Sequence, residues 1–111
     1  MIDLPKEIKM GPLLWQVDCE QDAQLDDDGD FGQTQFTRFK IVLDSRLPNF
    51  KLREGFLHEL IHAVGGTYLD IESRPTEAQT KALSAGLMGV FVDNPSLKEV
   101  FFPPKDVPNS S

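Results

Sequence analysis

Cysteine is nearly absent from this chain: Cys19 is the only one in 111 residues. A lone cysteine rules out an intramolecular disulfide and any zinc site built on several thiolates. Within WQVDCE its expected role is that of a half-buried strand residue packing as a small hydrophobe. Positive charge is scarce as well. Eleven Lys and Arg face eighteen Asp and Glu for a net charge of −7, and no basic stripe is present to neutralise a phosphate backbone, so direct nucleic-acid binding is not expected. No apolar run approaches the ~18 residues that span a bilayer. The N-terminus MIDLPKEIKM lacks an apolar segment ahead of a small-residue cleavage site, so a cytoplasmic protein without a membrane partner is expected.

The length fits one domain with one core, expected over residues 1–102, with PPKDVPNSS (103–111) as a flexible C-terminal tail. The first half has strand character. EIKM and LLWQVDC flank the turn signal Met10-Gly11-Pro12, and Leu13, Trp15 and Val17 alternate with Leu14, Gln16 and Asp18. FGQTQFT and FKIVLD, joined near Arg38, are two further strands. Between the pairs, Asp26, Asp28 and Asp30 have the spacing of a calcium loop, but Phe31 stands where glycine is required and Thr37 where a bidentate glutamate is required. A solvated loop is the expected reading.

The second half has helical character. From Asn49 to Val64, Leu57, Leu60, Ile61 and Val64 form an amphipathic stripe expected to face the core, with Gly65-Gly66 as the stop. A second helix starts near Pro75-Thr76 and runs to about Val92. Thr76 and Gln79 have capping-box spacing, and Thr80, Ser84, Leu87 and Phe91 share one face. Asn94-Pro95 opens a short terminal helix, SLKEVFF. The expected fold is α+β: a small antiparallel sheet of three to four strands followed by two packed helices.

The only two histidines fall in FLHELIHAVGG. On a helix of about 100° per residue, His58 and His62 stand about 40° apart and one turn apart, so both imidazoles can reach one metal ion. Glu59 lies further round, where a carboxylate can serve a water as general base. The helical context and the compatible stripe favour a zinc site over two histidines placed by chance.

A catalytic zinc needs a third protein ligand. A further His or Asp three residues beyond Gly65 would mark the metzincin pattern, but that place holds Tyr68. Downstream, Glu77 is the preferred third ligand, because it begins the second helix on the inward face continued by Thr80, Ser84, Leu87 and Phe91. Glu72 and Asp70, in the link, remain alternatives.

With IVLDSRL, LHELIHAV, TEAQTKALSAGL and VDNPSL in sequence order, residues 41 to 97 resemble compact zincin-type (HExxH) metallopeptidases of the ImmA/IrrE-like phage and prophage family. The resemblance implies a sheet edge able to pair with an extended peptide, a zinc helix beneath it, and a third ligand from the next helix. By position it makes His58, His62 and Glu77 the Zn2+ ligands and Glu59 the base that assists attack of zinc-bound water on a peptide bond. Tyr68 is a candidate stabiliser of the oxyanion. The implied partner is a narrow protein or peptide target. Two rivals follow from the same residues: a phage-encoded protein-binding module using zinc for stability alone, and a zinc hydrolase of non-peptide substrates. Glu59 favours an enzyme, since a purely structural site has no need of a base.

Overall fold

The computed structural model describes residues 2–21 and 32–102. The acidic loop around Asp26, Asp28 and Asp30 and the tail from 103 onward lie outside these residues. The chain runs β1 (Glu7–Met10), β2 (Leu13–Glu20), β3 (Gly32–Gln35), β4 (Lys40–Asp44), α1 (Asn49–Tyr68), a 3-10 turn (Ile71–Ser73), α2 (Glu77–Asp93) and α3 (Leu97–Phe101).

The α+β class and a four-stranded sheet agree with expectation. The sheet is mixed, however, where a wholly antiparallel one was expected. Strand order is β1-β2-β4-β3, the two hairpins are antiparallel, and the central pair β2/β4 is parallel. Strand composition supplies the reason. In β4, Ile41, Val42 and Leu43 are all buried, as suits a strand covered on both faces, whereas the polar GQTQ of β3 suits an edge. The chain therefore passes from β2 to the far edge and returns through a hairpin into the centre, so that β3 forms part of the crossover that a parallel pair requires.

The β1–β2 turn is two residues long, with Met10 opposite Leu13 and Gly11 at φ +58°. Glycine at the first central position of a short hairpin suits that left-handed backbone. The expected alternation in β2 holds: Trp15 and Val17 are buried with Ile41, Leu43 and Leu52 in the core. Cys19 is half-buried in β2, and burial, with the nearby Asp44, raises its thiol pKa.

Helix α1 presents an unexpected face to the sheet. Its buried positions include Leu52, Gly55, Glu59 and Ala63. Of the expected core stripe only Leu60 packs on the core cluster, and Val64 is 41% exposed. Small side chains explain this orientation. They let the helix backbone come close to the sheet, and at Gly66 an added Cβ would stand 2.1 Å from Cε1 of Phe36. The two glycines thus serve packing, and the helix runs through them to Tyr68, closed by Leu69 N–H donating to the Gly65 carbonyl at 3.0 Å.

Helix α2 begins with the expected capping box, Thr76 and Gln79 exchanging both hydrogen bonds. Its inner face is Thr80, Ser84 and Met88, while Leu87 and Phe91, expected inside, are 37% and 44% exposed. The buried hydroxyls are tolerated because each donates to a carbonyl of its own helix region, Thr80 to Thr76 and Ser84 to Lys81. Asn94 caps the end of α2, its side-chain amide donating to the Val90 carbonyl, so α3 starts after it, at Leu97.

Replacing Gly66 by alanine should destabilise the protein by about 1–3 kcal/mol as the Phe36 ring is displaced, outweighing a helix-propensity gain of at most about 1 kcal/mol. Urea unfolding of Gly66→Ala against the parent checks this; an unchanged or raised midpoint contradicts the packing role given to Gly66.

Candidate metal centre

Rotating its small face toward the sheet leaves α1 with His58 and His62 on one flank, half-buried, their rings edge to face with centroids 4.9 Å apart. Helix α2 brings its first residue to the same place. Glu77 bridges the pair: Oε1 lies 2.7 Å from His58 Nε2 and Oε2 lies 2.7 Å from His62 Nε2. The capping box fixes where α2 starts, and so where Glu77 stands. Ligand atoms of these three residues lie within 4.8 Å of one another.

Two imidazole nitrogens and one carboxylate oxygen, with no thiolate, form a donor set suited to zinc, and three protein ligands leave a position for water or substrate. Burial acts to raise the Glu77 carboxyl pKa, but its hydrogen bonds with His62 and His58 and their electrostatic effect prevail and hold it below the usual range. The carboxylate is therefore ionised, as a ligand must be.

Glu59 stands apart from this trio. It points from α1 toward the sheet and is only 7% exposed. Thr34, on edge strand β3, donates its hydroxyl to Glu59 Oε1 at 2.8 Å and approaches the Glu59 carbonyl at 3.1 Å. Burial pushes the Glu59 carboxyl above its ordinary pKa, and the Glu77 charge adds to this, against opposing effects of the Thr34 hydrogen bond and the two histidines. The carboxyl thus lies within electrostatic reach of the histidines and Glu77 while sharing no hydrogen bond with them among the described residues.

The structure brings together His58, His62 and Glu77, with Glu59 beside them. Asp70 and Glu72 are exposed in the link and belong to no such group among the described residues. Tyr68 ends α1, 61% exposed, with its hydroxyl against the β1–β2 turn 3.0 Å from where a Cβ on Gly11 would stand. Six residues separate it from His62, about 9 Å along the helix axis. Thr34 was missed by sequence reasoning. GQTQ signals an edge strand, but nothing local shows that its threonine meets a carboxylate 25 residues away.

Comparison with protein-family models, curated proteins and solved structures returned no match.

A carboxyl whose folded pKa lies above its unfolded value contributes stability that is present in full below the unfolded pKa, about 4.3, and lost as pH rises through the folded one. Glu59→Gln keeps an acceptor for Thr34 and removes that loss. In metal-free protein the variant should match the parent at acid pH and become the more stable of the two as pH rises to neutrality. Urea midpoints measured with chelator across this range test it, and a parent that is the more stable at neutral pH contradicts the buried-carboxylate account.

Proposed function

We propose that the chain is a zinc-dependent metallopeptidase with His58, His62 and Glu77 as ligands and Glu59 as general base. The observation that carries this reading is the Glu77 carboxylate reaching both Nε2 atoms at 2.7 Å from the start of a separate helix. With Glu59 following the first histidine, it completes the donor set and base of a catalytic His2Glu site. The likeness of residues 41 to 97 to compact zincins of the ImmA/IrrE-like phage family supports the same reading.

His58, His62 and Glu77 would hold the zinc, which would supply Lewis acidity, acidifying a water and polarising the scissile carbonyl. Glu59 accepts the proton as the water oxygen bonds to the carbonyl carbon. It returns that proton to the amide nitrogen as the C–N bond breaks, leaving a carboxylic acid and an amine. Its raised pKa suits both halves of this task, bringing the acid form closer to neutral pH. Thr34 holds the base on the sheet side of the ligands, fixing its orientation by one hydrogen bond. The polar edge strand β3 offers backbone groups to an extended peptide beside that base. A peptide or protein substrate is therefore favoured over a small non-peptide one.

Purified protein should bind close to one zinc per chain, and His58→Ala or His62→Ala should abolish tight binding. Glu77→Ala should weaken affinity far more than Glu72→Ala or Asp70→Ala in competition with a chromophoric chelator. No zinc uptake by the parent overturns the reading, and damage confined to Glu72→Ala moves the third ligand to the link.

Glu59→Gln should keep zinc affinity and folding while lowering hydrolysis about a hundredfold to ten-thousandfold. Matched cells producing the parent or the variant, compared for new protein fragments, provide the assay. Equal fragments or equal phenotypes in both indicate a zinc-stabilised binding module instead.

A further inference from the structure

The polarity of helix α2 is inverted. Its buried face carries Thr80 and Ser84, at 0% and 1% exposure, while Leu83, Leu87, Val90 and Phe91 are 37% to 49% exposed. No charged residue occurs from Ala82 to Val92. On the same helix pair an open apolar groove of about 800 Å³ lies between α1 and α2, its walls including Ile61, Val64, Leu69, Ala82 and Leu83. Beyond α2, α3 buries no residue, and Val100, Phe101 and Phe102 are 63% to 73% exposed. The chain thus carries an apolar groove near the start of α2 and an uncovered aromatic arm past its end, and the arm forms no part of the groove's lining.

We propose that this face is a homodimer interface, in which two chains pack their α2 helices antiparallel about a twofold axis and each seats Phe101 and Phe102 in the α1–α2 groove of the other copy. Leu83 and Asp93 lie about 15 Å apart along α2, so groove and arm stand at opposite ends of one helix. An antiparallel twofold satisfies both ends in a single operation, because an isologous contact pairs each patch with its counterpart twice. Gly86 and Gly89 sit between them, with no atom within 4 Å of where a Cβ would stand, leaving room for a second helix backbone to approach. The chain as a whole carries a charge of −7, so two copies meet with least repulsion along the uncharged stretch Ala82 to Val92.

The area is sufficient. Aromatic side chains present about 150–250 Å² each, so Phe91, Phe101 and Phe102 at their exposures offer roughly 350 Å². Leu83, Leu87 and the exposed valines bring the total toward the ~800 Å² per chain of a standard stable interface. Gln79, Ala82 and Leu83 lie about 140–240° around α2 from Glu77, and Leu87 and Phe91, nearer its azimuth, stand about 15–21 Å along the axis, so the dimer leaves the histidine flank open. The interface does not depend on zinc.

Sedimentation velocity of the full chain across micromolar concentrations should show a reversible dimer. The double variant Phe101→Asp, Phe102→Asp removes the arm, and Val64→Asp, Leu83→Asp spoils the groove; all four positions are exposed in the single chain, so each variant should fold as a monomer. Either change should weaken association at least about thirtyfold, the scale of losing one interface hot spot. Mixing the two variants is the decisive arm, since the intact arm of one and the intact groove of the other restore one of the two seats. Dimer reappearing in the mixture, at affinity between parent and variants, supports the proposal. A parent that stays monomeric, an arm variant that dimerises like the parent, or a mixture that stays monomeric overturns it.

Discussion

Much in this small protein follows from the contact between the small-residue side of α1 and the sheet. Gly55, Ala63 and Gly66 offer little to cover with water removed, yet they let the helix lie near enough for Leu52 to reach the core and for the Phe36 ring to fill the notch at Gly66. Close packing of this kind favours shape over side-chain size. Once that side is committed, the helix has no further rotational freedom. The histidines must fall on one flank, Glu59 beneath the edge strand, and Leu57, Ile61 and Val64 on the side of the α1–α2 groove.

The same commitment separates the two carboxylates. Glu77 stands at an exposed helix start, bound to two imidazoles, and burial is outweighed there by favourable charge. Glu59 lies against the sheet, where burial outweighs one hydroxyl and two nearby histidines. Two identical functional groups on adjoining helices are thereby shifted in opposite directions, Glu77 down and Glu59 up. Environments that push a pair of titratable groups apart in this way set the acid and base assignments of many active sites.

Elements whose signals are local were legible in the sequence. The Gly11-Pro12 hairpin, the alternation through Trp15 and Val17, and the Thr76–Gln79 capping box each depend on residues a few positions apart. The pattern His58-Glu59-x-x-His62 was legible for the same reason, being a matter of helix geometry alone. Harder to read were features decided by distant partners. The parallel pairing of β2 with β4 depends on the relative burial of two strands, and the facing of α1 depends on Phe36 finding Gly66. Leu57, Leu60, Ile61 and Val64 have the spacing of a core stripe, but periodicity reports that a helix has an apolar side and not which neighbour will cover it. Thr34 had no signal, since its role exists only once β3 lies over α1.

Phe36 follows directly on the edge strand and is held on three sides: edge to face by Trp15 at 5.9 Å, by the Gly66 notch, and by the Arg74 guanidinium 5.9 Å from its ring centre. Side chains along a strand alternate between faces, so sliding β3 by one residue would present Gln33 or Gln35 to Glu59 in place of Thr34. Such a slip would also have to pull Phe36 from its socket. The ring therefore acts as an index pin for the edge: a guest strand laid along β3 would meet a ruler whose zero mark is set by the Gly66 notch, the same contact that fixes Thr34 against Glu59.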